Sequence, residues 1–148
     1  MASNQKPSEF LPLLSAIDED VYAAGTFTGT YTKTDIAAQY MGVFSAGSIL
    51  STGTLDCSLV QATDSSGTGV KVIANATATQ LADTDDNKQV IINLKPSDLD
   101  IAGGFIYVAP RMTWTTAGGD GGAYLLGVMP FNGNGELDNI STVDEVVN

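Results

Sequence analysis

From Thr54 to Phe131 short apolar runs alternate with compact polar turns: TLDCSLVQA, TDSSGTG, VKVIANA, DTDDNK, QVIINLK, GFIYVAPRMTW, AGGDGG and AYLLGVMPF. Side chains that alternate with a period of two, bounded by Gly, Asp, Asn and Ser clusters, predict strands joined by tight turns. On the first strand Leu55, Cys57 and Leu59 share a face. Val70, Val72 and Ala74 are expected inward on the return strand, with Lys71 outward. DSSG at residues 64–67 has the Asp-first, Gly-fourth form of a type I turn. Val90, Ile92 and Leu94 form the inner face of the next strand, and Ile91 makes its other face partly apolar. In the longest run Phe105, Tyr107, Ala109 and Arg111 alternate against Ile106, Val108, Met112 and Trp114. Pro110 has no N–H to give to a ladder, which predicts an edge strand or a bulge there. AGGDGG is expected to be a flexible hairpin tip, and AYLLGVMPF the last core strand.

Ahead of this block, GTFTGTYTKT (25–34) alternates throughout, with Phe27, Gly29 and Tyr31 opposite a row of threonines, and predicts a half-exposed strand. Its threonine face suits either a solvated surface or a ligand such as ice or sugar. DIAAQY is expected to add one helical turn capped by Asp35. YMGVFSAGSIL reads as a strand that passes into a loop at Ser45–Ser48. The whole is expected to be an antiparallel β-sandwich, jelly-roll-like, of about seven to nine strands over residues 21–131.

The two ends read differently. Residues 1–20 form an N-terminal arm in which Phe10, Leu11, Leu13, Leu14 and Ile17 cluster around Pro12, ahead of Asp18, Glu19 and Asp20. Pro12 argues against a helix centred here, and apolar residues so placed need a surface to bury them. That surface is either the end of the chain's own sandwich or a neighbouring subunit. Residues 132–148 form an acidic C-terminal tail, expected to be extended and ordered only where a neighbour holds it.

Composition narrows the function. The chain of 148 residues is long enough for one domain with a sizeable core. Seventeen acidic residues against six basic ones give a net charge of −11. That surface repels polyanions and anionic lipid, so neither nucleic acid nor membrane is an expected partner. It suits solubility or a basic partner. No apolar run reaches the roughly 18 residues of a membrane span, and FLPLL is no signal-peptide core. The single Cys57 can form no internal disulfide and is expected to be a buried, inert thiol.

Candidate chemistry is sparse. The chain has no histidine, the commonest general base and metal ligand. No nucleophile elbow, phosphate loop or dinucleotide fingerprint occurs. Asp83, Asp85 and Asp86 offer oxygens to a calcium ion but lack the EF-hand glycine and closing glutamate, so a hairpin turn is expected. The carboxylate pairs Asp98 with Asp100 and Asp85 with Asp86 fall in turns rather than across a recognisable cleft. Arg111, the only arginine, is a candidate for pairing with a buried carboxylate or a neighbouring subunit, or for a snorkelling position at an edge. No catalytic residue, cofactor site or metal site is expected, and the chain is not read as an enzyme.

The succession from Gly53 to Phe131 resembles a group of small tailed-phage virion proteins, the capsid decoration or cement proteins and the related bases of head spikes and fibres. The likeness lies in TLDCSLVQATDSSGTGVKVI, the Ala/Thr-rich link, QVIINL, FIYVAPRMTWT, the Gly-rich tip and YLLGVMPF, a little over half of the chain. It implies a β-sandwich made in the host cytoplasm that assembles, often as a trimer, on the outer surface of a phage head. There it clamps capsomers of the major capsid protein. Phe10, Leu11, Leu13, Leu14 and Ile17 are the expected contacts, with tail carboxylates facing basic capsid surfaces. Alternatives are a spike, fibre-base or tail subunit and, from another class, a carbohydrate-binding module or adhesin, which requires an exposed aromatic platform.

Overall fold

A computed structural model describes residues 6–129 and 140–144. One helical turn, α1 (Pro7–Phe10), precedes ten strands: β1 (Leu13–Tyr22), β2 (Gly25–Thr28), β3 (Thr32–Lys33), β4 (Gln39–Ile49), β5 (Thr54–Ala62), β6 (Lys71–Thr77), β7 (Leu81–Ala82), β8 (Gln89–Leu94), β9 (Tyr107–Thr115) and β10 (Gly119–Val128). They build two antiparallel sheets packed as a sandwich. The four-stranded sheet runs β1-β10-β4-β8. The six-stranded sheet runs β2-β9-β5-β6, with β3 beside β9 and β7 beside β5. Along the chain the strands β1, β2, β4 and β5 alternate between sheets, β6 stays with β5, and β8, β9 and β10 alternate again. That connectivity over two four-strand paths is the jelly roll.

The core lies between the sheets. Tyr40, Phe44, Leu125 and Ala123 come from one side, and Leu55, Cys57, Leu59, Met112 and Trp114 from the other. β5 keeps the expected bounds and inner face, and β8 buries Ile92 and Leu94 as the alternation requires. Several elements depart from the sequence pattern. Leu14 and Ile17 are buried at 3% and 6% exposure, and β1 is an edge strand paired with β10, so an arm spanning 1–20 is corrected: its boundary falls inside β1. These two side chains close the chain's own sandwich and are not available to a partner.

Residues 25–34 are not one strand. β2 and β3 are separated by Gly29–Tyr31, and both pair with β9. The interruption explains Pro110, which sits inside the sheet between β2 and β5 rather than at an edge. In a strand a residue's N and C=O point to the same side. Gly29 donates its N–H to the Pro110 carbonyl, so the missing Pro110 donor faces the gap, and the β5 ladder loses nothing. Asp35 caps no helix; it lies in a turn at 34–35 followed by bends, and pairs with Lys33 at 2.8 Å. β4 continues unbroken through Ser45–Ser48, because β10 pairs with it on one side and Gln89 of β8, followed by Lys88 and Asn87, on the other.

The phase of β6 is opposite to expectation. Val70 and Val72 are exposed, whereas Ile73 and Ala76 are buried. Val72 pairs with Val60 on the outer side, and the left-handed Asn75 (φ 64°) shifts the register so that inward positions fall three residues apart. The glycines of AGGDGG are not a loose tip. Gly119 and Gly121 begin β10 and lie against the Trp114 ring, where a Cβ would stand 2.7 Å and 3.3 Å from its atoms.

Candidate functional site

The residues expected at a partner surface divide by burial. Leu14 and Ile17 belong to the core, while Phe10 is 38% exposed and Leu11 and Leu13 are half-buried. Phe10 to Pro12 prolong the pairing of β1: Met129 donates to the Phe10 carbonyl at 2.8 Å and Gly127 to that of Pro12 at 3.0 Å. The tail returns to the same edge, where Ile140 donates its N–H to the Leu13 carbonyl at 2.8 Å. The described part of the tail is thus held by its own chain. The tail carboxylates Glu136, Asp138 and Glu145 lie outside the described residues. Farther along β1, Asp18, Glu19 and Asp20 are all exposed. The Tyr22 hydroxyl donates to the Asp18 carbonyl, and partial burial together with these three carboxylates raises its pKa.

The carboxylates singled out in turns are occupied with backbone. Asp83 accepts from the Thr52 N–H at 2.8 Å, Asp85 from Ala82 at 2.9 Å and Asp86 from Ile49 at 2.7 Å. Asp98 accepts from the Lys95 N–H at 2.9 Å. Asp100 takes the Lys71 ammonium at 2.6 Å and the Gly103 N–H at 3.0 Å, which together hold its carboxyl below the usual carboxylate range. The Lys71 ammonium also stands 3.9 Å from the Phe105 ring centroid. Among the described residues no group of three His, Cys, Asp or Glu side chains is placed to hold a metal ion. Arg111 meets no carboxylate in the described ion pairs; its Nε donates to Thr28 Oγ1 at 3.1 Å across the outer face of the six-stranded sheet. Cys57 is buried, and burial pushes its thiol up to about 12, so it is not a nucleophile at neutral pH.

Aromatic side chains are spread over both faces. Trp114 and Tyr40 are core residues at 1% exposure and form no platform for a sugar. Tyr107 and Tyr124 are half-buried and lie on the outer faces of their sheets, opposite Ala62 and Val43. A shallow cleft of about 380 Å³ between Lys33, Asp35, Pro96, Ile101 and Ile106 contains only the Lys33–Asp35 pair as charged groups.

Sequence patterns did not lead to the outer face of the four-stranded sheet. There Tyr124, Val43 and Ile91 form one row across β10, β4 and β8, and Leu126 and Met41 part of the next. A signal existed in QVIINL, YMGVF and YLLGV, where neither alternating set of side chains contains a charge. No protein-family model matches the chain, and no curated protein matches its sequence.

Proposed function

We propose that the protein is a structural virion component, a capsid decoration or cement protein on the outer surface of a phage head that stabilises contacts between capsomers of the major capsid protein. Support comes from the jelly-roll sandwich together with the strand succession of residues 53–131. One observation carries the proposal. The edge strand β1 and its lead-in join an accessible apolar end, Phe10 and Leu11, to an exposed carboxylate strip, Asp18, Glu19 and Asp20. Such an edge suits a surface with an apolar groove and a basic rim.

The mechanism is mass action. A protein that binds the assembled shell and not its free subunits adds its binding free energy to the cost of dissociation. Repeated copies on a symmetric lattice make modest individual contacts strong. Co-sedimentation of the purified chain with undecorated phage shells tests this. The wild type is expected to bind and to delay shell disruption on heating. Phe10→Asp combined with Leu11→Asp is expected to lower occupancy about tenfold or more with the fold intact. Equal occupancy of wild type and variant overturns the proposal, as does antibody labelling of particles that falls on the tail.

A further inference from the structure

The outer face of the four-stranded sheet breaks the pattern of a solvated sheet surface. An antiparallel sheet with one face on the core ordinarily alternates apolar inside with polar outside. Here Leu125, Phe44 and Ile92 point inward and are buried, yet their outward neighbours Tyr124, Leu126, Val43 and Ile91 are apolar or aromatic as well. Ile91 is 61% exposed. The register sets Tyr124, Val43 and Ile91 side by side, and Leu126 beside Met41, so the patch is continuous across three strands. These rows contain no Asp, Glu, Lys or Arg, although the chain has a net charge of −11.

The charges that reach this face divide between its two ends: exposed Asp120 of β10, beside Gly47 of β4, shares one end with Glu19, and Lys95 stands at the other. Glu19, on the β1 edge, lies over Gly122, where a Cβ would come within 2.9 Å of its Cδ. Lys95 continues β8 in extended conformation past Leu94, at the other edge and the other end of the sheet. A twofold axis along the opposite diagonal brings two such faces together with the strands near perpendicular, one of the two ways in which sheets pack. It sets the Glu19 and Asp120 end of each copy over the Lys95 end of the other. Four strands about 4.8 Å apart and rows over about 20 Å give roughly 400 Å² in projection per copy. With side-chain relief the pair buries on the order of 1,000 Å², the lower limit of specific interfaces.

We propose that this face is a self-association surface whose occupant is a second copy of the same chain, in an isologous pair. The pair is a property of the free protein and does not depend on binding to a shell. Sedimentation velocity on the full chain across a wide concentration series reads it directly. The wild type is expected to pass from monomer to dimer. Ile91→Glu, which places like charges at the interface, is expected to weaken association about tenfold or more, whereas Val72→Glu on the opposite sheet leaves it unchanged. Val43→Cys near the proposed axis is expected to cross-link two copies under mild oxidation, and the exposed control Val72→Cys is not. A wild type that stays monomeric, a trimer that Val43→Cys fails to cross-link, or equal association of wild type and Ile91→Glu overturns the proposal. Shell occupancy is a separate measurement: if Ile91→Glu lowers occupancy while the wild type is monomeric in solution, the face belongs to the shell and self-association is rejected.

Discussion

Gly29 donates its N–H to the carbonyl of Pro110 at 3.0 Å, and this contact sets the gap between β2 and β3 against the one residue of β9 that has no N–H. Proline within a sheet needs a place where its absent donor is not required, and the interval between β2 and β3 provides it. At Gly29 the chain also passes close to β1. A Cβ there would stand 2.5 Å from Ser15 Oγ and 3.0 Å from both the Ala16 carbonyl and Pro110 Cγ.

Gly29→Ala is therefore expected to destabilise the fold by about 1–3 kcal/mol through overpacking, since two of the three neighbours are backbone or a ring. Urea unfolding measures it as a lower midpoint with an unchanged slope.

The same reasoning applies to Trp114, the only tryptophan, whose ring lies against Gly119 and Gly121. Gly119→Val is expected to displace the ring, which a red-shifted emission maximum in the native state reports. The Trp114 Nε1–H is buried without an acceptor among the described residues. Trp114→Phe is accordingly expected to cost less than the roughly 3–5 kcal/mol typical of Trp→Ala, because it removes an unpaired donor along with the lost volume.

Cys57 sets an alkaline limit. Its thiol is raised from 9.0 to about 12 by burial, so between these values the unfolded chain releases a proton that the native chain keeps. The unfolded state then binds fewer protons, and stability falls with rising pH by up to about 1.4 kcal/mol per unit from pH 9 to 12. Tyr40, also raised by burial, acts in the same direction. Cys57→Ala is expected to flatten the profile, and a thiol reagent at pH 8 is expected to label the wild type only on unfolding.

Truncation before residue 18 is expected to unfold the domain rather than release an arm. It removes Leu14, Ile17 and much of an edge strand, and each core side chain alone is worth about 2–5 kcal/mol. A cooperative thermal transition at the wild-type midpoint for the truncated chain would contradict this.

Asp86→Ala is expected to cost about 1–2 kcal/mol, because it leaves the part-buried Ile49 N–H without its 2.7 Å partner. Added calcium is expected to leave the wild-type midpoint unchanged, since the aspartates of this turn already hold backbone donors.

The alternation of side chains by itself determined the all-β class, the bounds of β5, the inner faces of β5 and β8 and the turn at 64–67. Those features depend on neighbours two residues apart, or on one turn, and the information is local. What depended on a distant partner was decided by tertiary structure. Leu14 and Ile17 look like a free apolar arm until β10 lies beside them, and Pro110 looks like an edge residue until the gap at Gly29 faces it. Gly119 and Gly121 look like part of a mobile tip until the Trp114 ring packs onto them, and β6 takes the opposite phase because Val72 pairs with Val60 on the outer side. The same holds for the candidate surfaces. Each apolar row of the four-stranded sheet is drawn from strands far apart in sequence, and only their pairing makes scattered residues into a face. Burial and register belong to pairs of segments, whereas periodicity belongs to one.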